Sequence, residues 1–203
     1  MRVLMLDPGS RNFGYSVLEI DGKGFRYLEI GQIEKTIVNL TANPHVRKPK
    51  RRKKAGQAPQ KIPKDGWPVD HPLHVMLPRY YKTMSRLIKD YGIDEVVMER
   101  FQSRGLKGST IEAVSIMVGI LLGMLHRMKI KSRLVTAGQW KNQINRHINL
   151  DNTYKITAKF GYTPHETDAC FMGIYHYHSH YNGELEWATQ VPEKMENYSN
   201  ESG

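Results

Sequence analysis

The 203-residue chain is 39% hydrophobic and 25% charged, an ordinary globular composition with length enough for one well-filled core. Thirty Lys and Arg against 20 Asp and Glu give a formal charge of +10, an excess that attracts nucleic acid or an anionic membrane surface. The single cysteine, Cys170, excludes an intramolecular disulfide framework and a cysteine zinc cluster. No secretory signal is visible at the start, and the apolar stretch 113–125 is too short to cross a bilayer. A reducing, cytoplasmic setting without a membrane partner is therefore expected.

Residues 2–7 form an apolar run ending on Asp7, as a buried strand does, and Pro8, Gly9 and Ser10 make a turn. Strand-like runs follow over 13–20 and 25–34, and Asp21-Gly22 between them is a hairpin signal. The chain thus opens as an antiparallel meander of three strands. Residues 41–72 break this pattern. Arg47, Lys48, Lys50, Arg51, Arg52, Lys53 and Lys54 crowd one short run, and prolines punctuate the segment throughout. It reads as a mobile basic insertion.

Tyr80, Met84, Leu87, Ile88 and Tyr91 recur at helical spacing and predict a helix over 77–91, with Gly92 as its C-terminal cap. Residues 93–101 read as another buried strand, with Glu99 near its end. Ser109 and Glu112 have the spacing of a capping box before an apolar helix over 110–128. A fifth strand is expected over 131–136, then two helices near 137–147 and 153–160. Thr163-Pro164-His165-Glu166 opens the last helix with an N-cap residue, proline at the first position and Glu at the third. That helix runs to about residue 180, and the polar tail over 182–203 reads as loose. The order predicts one α/β domain over 1–181 with a mixed five-stranded sheet flanked by helices.

Three segments deliver an acid to the end of an element: Asp7, Glu99 and Asp168. Charges closing apolar strands are costly unless they are used. Parallel neighbours would bring Asp7 and Glu99 to one sheet edge, where open α/β sheets place their sites. Asp168 lies in the first turn of the last helix, with His165 three residues earlier on the same face. Clustered carboxylates repel one another unless a cation sits between them, and Mg²⁺ takes oxygen ligands while leaving room for phosphate and water. Two such ions suit phosphodiester hydrolysis. Taken singly, each residue has a plainer role: a turn for Asp7, an ion pair with Arg100 or Arg104 for Glu99, a helix-dipole partner for Asp168. The histidines 176, 178 and 180 fall at a helix end, where they bond terminal carbonyls or meet solvent rather than hold a metal. Met117, Met124 and Met128 read as core or interface fillers. Gly119 and Gly123 leave a strip that lets another helix approach, or that packs on the sheet in a monomer.

Met5-Leu6-Asp7-Pro8-Gly9-Ser10-Arg11-Asn12-Phe13-Gly14-Tyr15 resembles the first motif of the RuvC Holliday junction resolvases. Val97-Met98-Glu99-Arg100-Phe101 is similar to the second motif, and His165-Glu166-Thr167-Asp168-Ala169 to the last. The resemblance implies an RNase H-like fold and a catalytic, metal-binding set of Asp7, Glu99, His165 and Asp168. It further implies two Mg²⁺ ions per site, with Mn²⁺ as substitute, a homodimer, and a four-way DNA junction as substrate. Lys141, within Gln139-Trp140-Lys141-Asn142, matches a lysine that meets DNA phosphates, Lys155 stands for a second one, and Phe101 for an aromatic that opens the junction. The basic run over 47–54 reads as a further phosphate grip, or else as a solvated loop or nuclear address. The expected function is Holliday junction resolution in a prokaryotic or phage-infected cell. The alternatives are a less selective fork and flap debranching nuclease of the same fold, or a non-catalytic DNA-binding protein.

Overall fold

The computed structural model describes residues 1–9, 12–21, 24–34, 72–100 and 109–181, apart from the side chains of 72–76 and 109–113. Phe101, Arg104, the seven basic residues of the 47–54 run and the tail from 182 lie outside the described residues, as does the side-chain pairing expected of Ser109 and Glu112.

Five strands form one sheet: β1 (Arg2–Pro8), β2 (Asn12–Asp21), β3 (Gly24–Glu34), β4 (Glu95–Arg100) and β5 (Lys131–Thr136). Their spatial order is β3-β2-β1-β4-β5. The first three strands pair antiparallel, whereas β4 lies parallel to both β1 and β5. This is the mixed sheet that the element order predicts. The helices are α1 (Pro72–Tyr91), α2 (Ser109–Arg127), α3 (Ala137–Asn145), α4 (Leu150–Lys159) and α5 (Pro164–Tyr181).

Side chains alternate across a strand, so residue parity sorts the core into two layers. Leu4, Leu6, Val96 and Met98 share one cluster with Tyr80, Met84 and Leu87 of α1 and Met117, Leu121 and Leu125 of α2. Val3, Met5, Val97 and Val135 share the other with Trp140 and Ile144 of α3, Leu150 of α4 and Phe171 and Ile174 of α5. Asp7 continues the parity of Val3 and Met5, and Glu99 that of Val97. Both carboxylates therefore belong to the face covered by α3, α4 and α5. In β3 a register shift opposite Val17 and Leu18 changes the phase. Phe25 and Tyr27 pack on the α5 side, while Glu29 turns the other way to meet Arg86 and Tyr91 of α1.

α1 starts five residues before the position expected. Pro72 is its first residue and Pro78 lies inside it. Proline suits a helix start, but an internal proline removes a donor and masks the pattern upstream. Gly92 ends α1 with φ +59°, and the Ile93 N–H donates back to the Ile88 carbonyl. α5 opens as its sequence predicts: the Glu166 N–H donates to Thr163 Oγ1, and the Thr163 N–H to the Glu166 carboxylate. No helix among the described residues is long and apolar enough to cross a membrane.

Candidate active site

The parallel register of β1 and β4 pairs Val3 with Glu95 and runs to Leu6 with Met98. One step further along the two strands stand Asp7 and Glu99, at the carboxyl ends of adjacent parallel strands. The N-terminus of α5 closes over this edge, and Gly14 permits the approach. A Cβ at Gly14 would lie 2.1 Å from the His165 carbonyl oxygen, an impossible contact. Ser16, two residues along the same face of β2, anchors the helix by donating from Oγ to the Ala169 carbonyl. Gly173, one turn further, accommodates Leu18 at a distance no Cβ would tolerate.

This docking brings together the four side chains that the sequence singles out. His165 Nδ1 lies 2.6 Å from Asp7 Oδ2. A carboxylate accepts, so Nδ1 carries the proton. That hydrogen bond, with the surrounding negative charge, raises the imidazole's pKa against the opposing effect of burial. Asp168 is held from two sides: Lys141 of α3 donates from Nζ to Oδ2 at 2.9 Å, and the Tyr154 hydroxyl of α4 donates to Oδ1. Glu99 accepts from Trp140 Nε1 at 2.8 Å. Glu166 takes no part, because its carboxylate is turned back into the cap of its own helix.

Burial raises the Glu99 pKa to about 7, and the nearby charge of Asp7 adds to the rise, while the Trp140 indole opposes it. Asp168 is raised as well, by burial and then by Asp7, against the pull of Lys141 and Tyr154. The three carboxylates thus lie within electrostatic reach of one another, in a partly dry edge. Among the described residues, no three acidic, histidine or cysteine side chains converge closely enough to grip an ion in their present rotamers. His165 occupies Asp7, and Lys141 and Tyr154 occupy Asp168. The donor set nonetheless fits a hard divalent cation: three neighbouring carboxylates, of which Glu99 and Asp168 are charged only at a cost that positive charge would relieve.

Trp140 and Tyr154 carry roles here that sequence reasoning missed. Trp140 sits inside the segment flagged for Lys141 and is fully buried, and Lys141 Nζ lies 4.7 Å from its ring centre. Tyr154 is the α4 residue that reaches Asp168; the neighbouring Lys155 is exposed. Of the three histidines read as terminal or solvated, His180 does bond a carbonyl, that of His176. His176 itself corrects that reading. It is fully buried, and burial lowers its pKa to about 4, so it stays neutral beside Glu95.

No protein-family model matches the chain, and no curated protein matches it in sequence. Solved structures do. Thermus thermophilus RuvC in complex with a Holliday junction substrate is similar at a TM-score of 0.58 and 15% identity, over 88% of this chain and 95% of that one. A further structure of Thermus thermophilus RuvC matches with the same values. The fowlpox virus Holliday junction resolvase is more distant, at a TM-score of 0.48 and 12% identity over 88% of this chain and 99% of its own. At such identities a likeness establishes fold alone, and on that footing the chain has the RNase H-like fold of RuvC.

Proposed function

We propose that this protein is a divalent-metal-dependent endonuclease that cuts branched DNA, with the four-way junction as its substrate. The observation that carries the reading is the meeting of Asp7, Glu99, His165 and Asp168, from three separate elements, at the carboxyl edge of a RuvC-like sheet. In this reading Asp7, Glu99 and Asp168 hold two Mg²⁺ or Mn²⁺ ions, with His165 as a further ligand or as the group that positions water. Bound there, the ions would activate the attacking water and stabilise the leaving 3′-oxygen.

The chain's own residues do the rest. Trp140 fixes the rotamer of Glu99 and favours its charged form. Lys141 and Tyr154 hold Asp168 in place, and were Asp168 to ligate a cation the Lys141 ammonium would be free to meet a phosphate. Lys155 and the basic 47–54 run supply further phosphate contacts, which raise affinity without reading sequence. A homodimer is supported by α2. It packs on the sheet through Val114, Met117, Leu121 and Leu125 and turns Ile116 and Ile120 outward, 45% and 42% exposed. Cβ atoms placed at Gly119 and Gly123 would meet nothing within 4 Å. A two-fold partner seated on that open face would present two sites to a two-fold junction.

The test is cleavage of a synthetic immobile junction, flaps, forks and linear duplex, each with and without Mg²⁺. Paired nicks across the junction support resolution. Equal rates on flaps and forks assign the broader debranching activity, and binding without any metal-dependent nick leaves a DNA-binding protein.

A further inference from the structure

α4 has two unlike faces. Leu150, Tyr154 and Thr157 turn inward, and Tyr154 ends on Asp168. Outward stand Lys155, Ile156 and Lys159, followed by Phe160 at the C-terminal cap. Residues four apart are neighbours on a helix, so Lys155 and Lys159 make one row and Ile156 and Phe160 the row beside it. Ile156 is 43% exposed and Phe160 45%. Single exposed apolar residues are commonplace. An aliphatic and an aromatic side chain in contact range, edged by two lysines and carried by the helix that enters the carboxylate cluster, form a more specific surface.

That surface suits a ligand with flat apolar faces joined by regularly spaced negative charges. An acidic protein segment offers the charges without the flat faces, and a single nucleic-acid strand offers both. We propose that Ile156 and Phe160 form a stacking platform for an unpaired nucleobase of the DNA strand entering the site, with Lys155 and Lys159 on its flanking phosphates. This rests on the nuclease reading and adds to it a source of preference for branched substrates. In linear duplex each base is stacked on both neighbours, whereas at a branch point the stack is interrupted and a base turns onto the platform at lower cost. At about 1.5 Å of rise per residue, Phe160 lies about 9 Å along the helix axis from Tyr154. The captured base therefore lies close to the scissile phosphate but outside the carboxylate cluster.

The experiment uses the full chain and a synthetic immobile junction carrying a fluorescent base analogue at successive positions beside the mapped nick. Wild-type protein should change the signal at one of these positions. Phe160→Ala should lose that signal and slow junction cleavage about tenfold, as removal of one stacking aromatic does. Phe160→Trp should restore both, and the thermal midpoint should not move, because Phe160 is exposed. Replacing Lys155 and Lys159 together by Ala should flatten the salt dependence of binding by about two phosphate contacts. Cleavage by Phe160→Ala at the wild-type rate, with the signal intact, overturns the platform. So does a change in self-association without a change in cleavage, which assigns the face to a second copy of the chain. A wild-type protein that never nicks in the presence of metal sinks the nuclease reading itself, a separate and earlier failure.

Discussion

Replacing Glu99 with Gln removes a charge while keeping an oxygen that can accept from Trp140 Nε1, 2.8 Å away in the native protein. In the native fold, burial and the charge of Asp7 raise the Glu99 pKa from its ordinary 4.5 to about 7. The folded chain therefore binds a proton at Glu99 across a pH range in which the unfolded chain has released it. The ionised side chain works against folding: nothing is lost below about pH 4.5, the cost grows between 4.5 and 7, and it is complete above 7. A displacement of that size corresponds to at most about 3 kcal/mol at about 1.4 kcal/mol per tenfold in the proton equilibrium, and partial exposure brings the expectation to about 2 kcal/mol. For a domain of this length that is a rise of about 4–8 °C in thermal midpoint. The assay is thermal denaturation of wild type and Glu99→Gln from pH 4.5 to 8.5, with and without Mg²⁺. The variant should be more stable at pH 8, indistinguishable at pH 4.5, and unresponsive to Mg²⁺ concentrations that stabilise the wild type by mass action. Equal stability at pH 8, or a gain that persists unchanged at pH 4.5, would refute the claim that Glu99 is held in an electrostatically strained state.

Gly14→Ala places a methyl group 2.1 Å from the His165 carbonyl; it should push α5 off the sheet, costing about 2–3 kcal/mol in denaturant titrations and abolishing nicking even though no carboxylate is touched. Trp140→Phe keeps the buried ring but removes the donor to Glu99, so the Glu99 pKa should rise further and the pH–rate profile for cleavage should move to higher pH. Tyr154→Phe removes one of the two protein bonds to Asp168. It should lower stability at neutral pH by about 1–2 kcal/mol and reduce cleavage several-fold, with junction affinity maintained.

How much of this was legible in the chain alone differs from residue to residue, for physical reasons. Asp7 and Glu99 stand out because a charge ending an apolar run is unusual, and the period of a strand then determines which face each occupies. The opening of α5 is equally readable, since Thr163, Pro164 and Glu166 satisfy helix-terminal donors by local geometry alone. The start of α1 is not, because Pro78 interrupts the very pattern that would reveal residues 72–76 as helical. Trp140 and Tyr154 escaped for another reason. A buried tryptophan or tyrosine serves packing in most positions, and its role here depends on which carboxylate the tertiary fold sets before its polar atom. Tyr154 and its neighbour Lys155 point about 100° apart on α4, so the fold sets one before Asp168 and leaves the other exposed. His176 likewise depends on the packing of α5 across β1 and β2, which sets its ring beside Glu95, rather than on any local signal.

In the proposed nuclease, Asp7, Glu99, His165 and Asp168 together hold divalent cations against a scissile DNA phosphate. The most direct test of this measures Mg²⁺-dependent nicking of an immobile four-way junction by wild type and Asp7→Asn, with junction affinity measured in parallel. Paired nicks by the wild type, and none by a variant that binds the junction as tightly, are the predicted result. Nicking by Asp7→Asn at the wild-type rate, or loss of binding to the same extent as loss of cleavage, would contradict it.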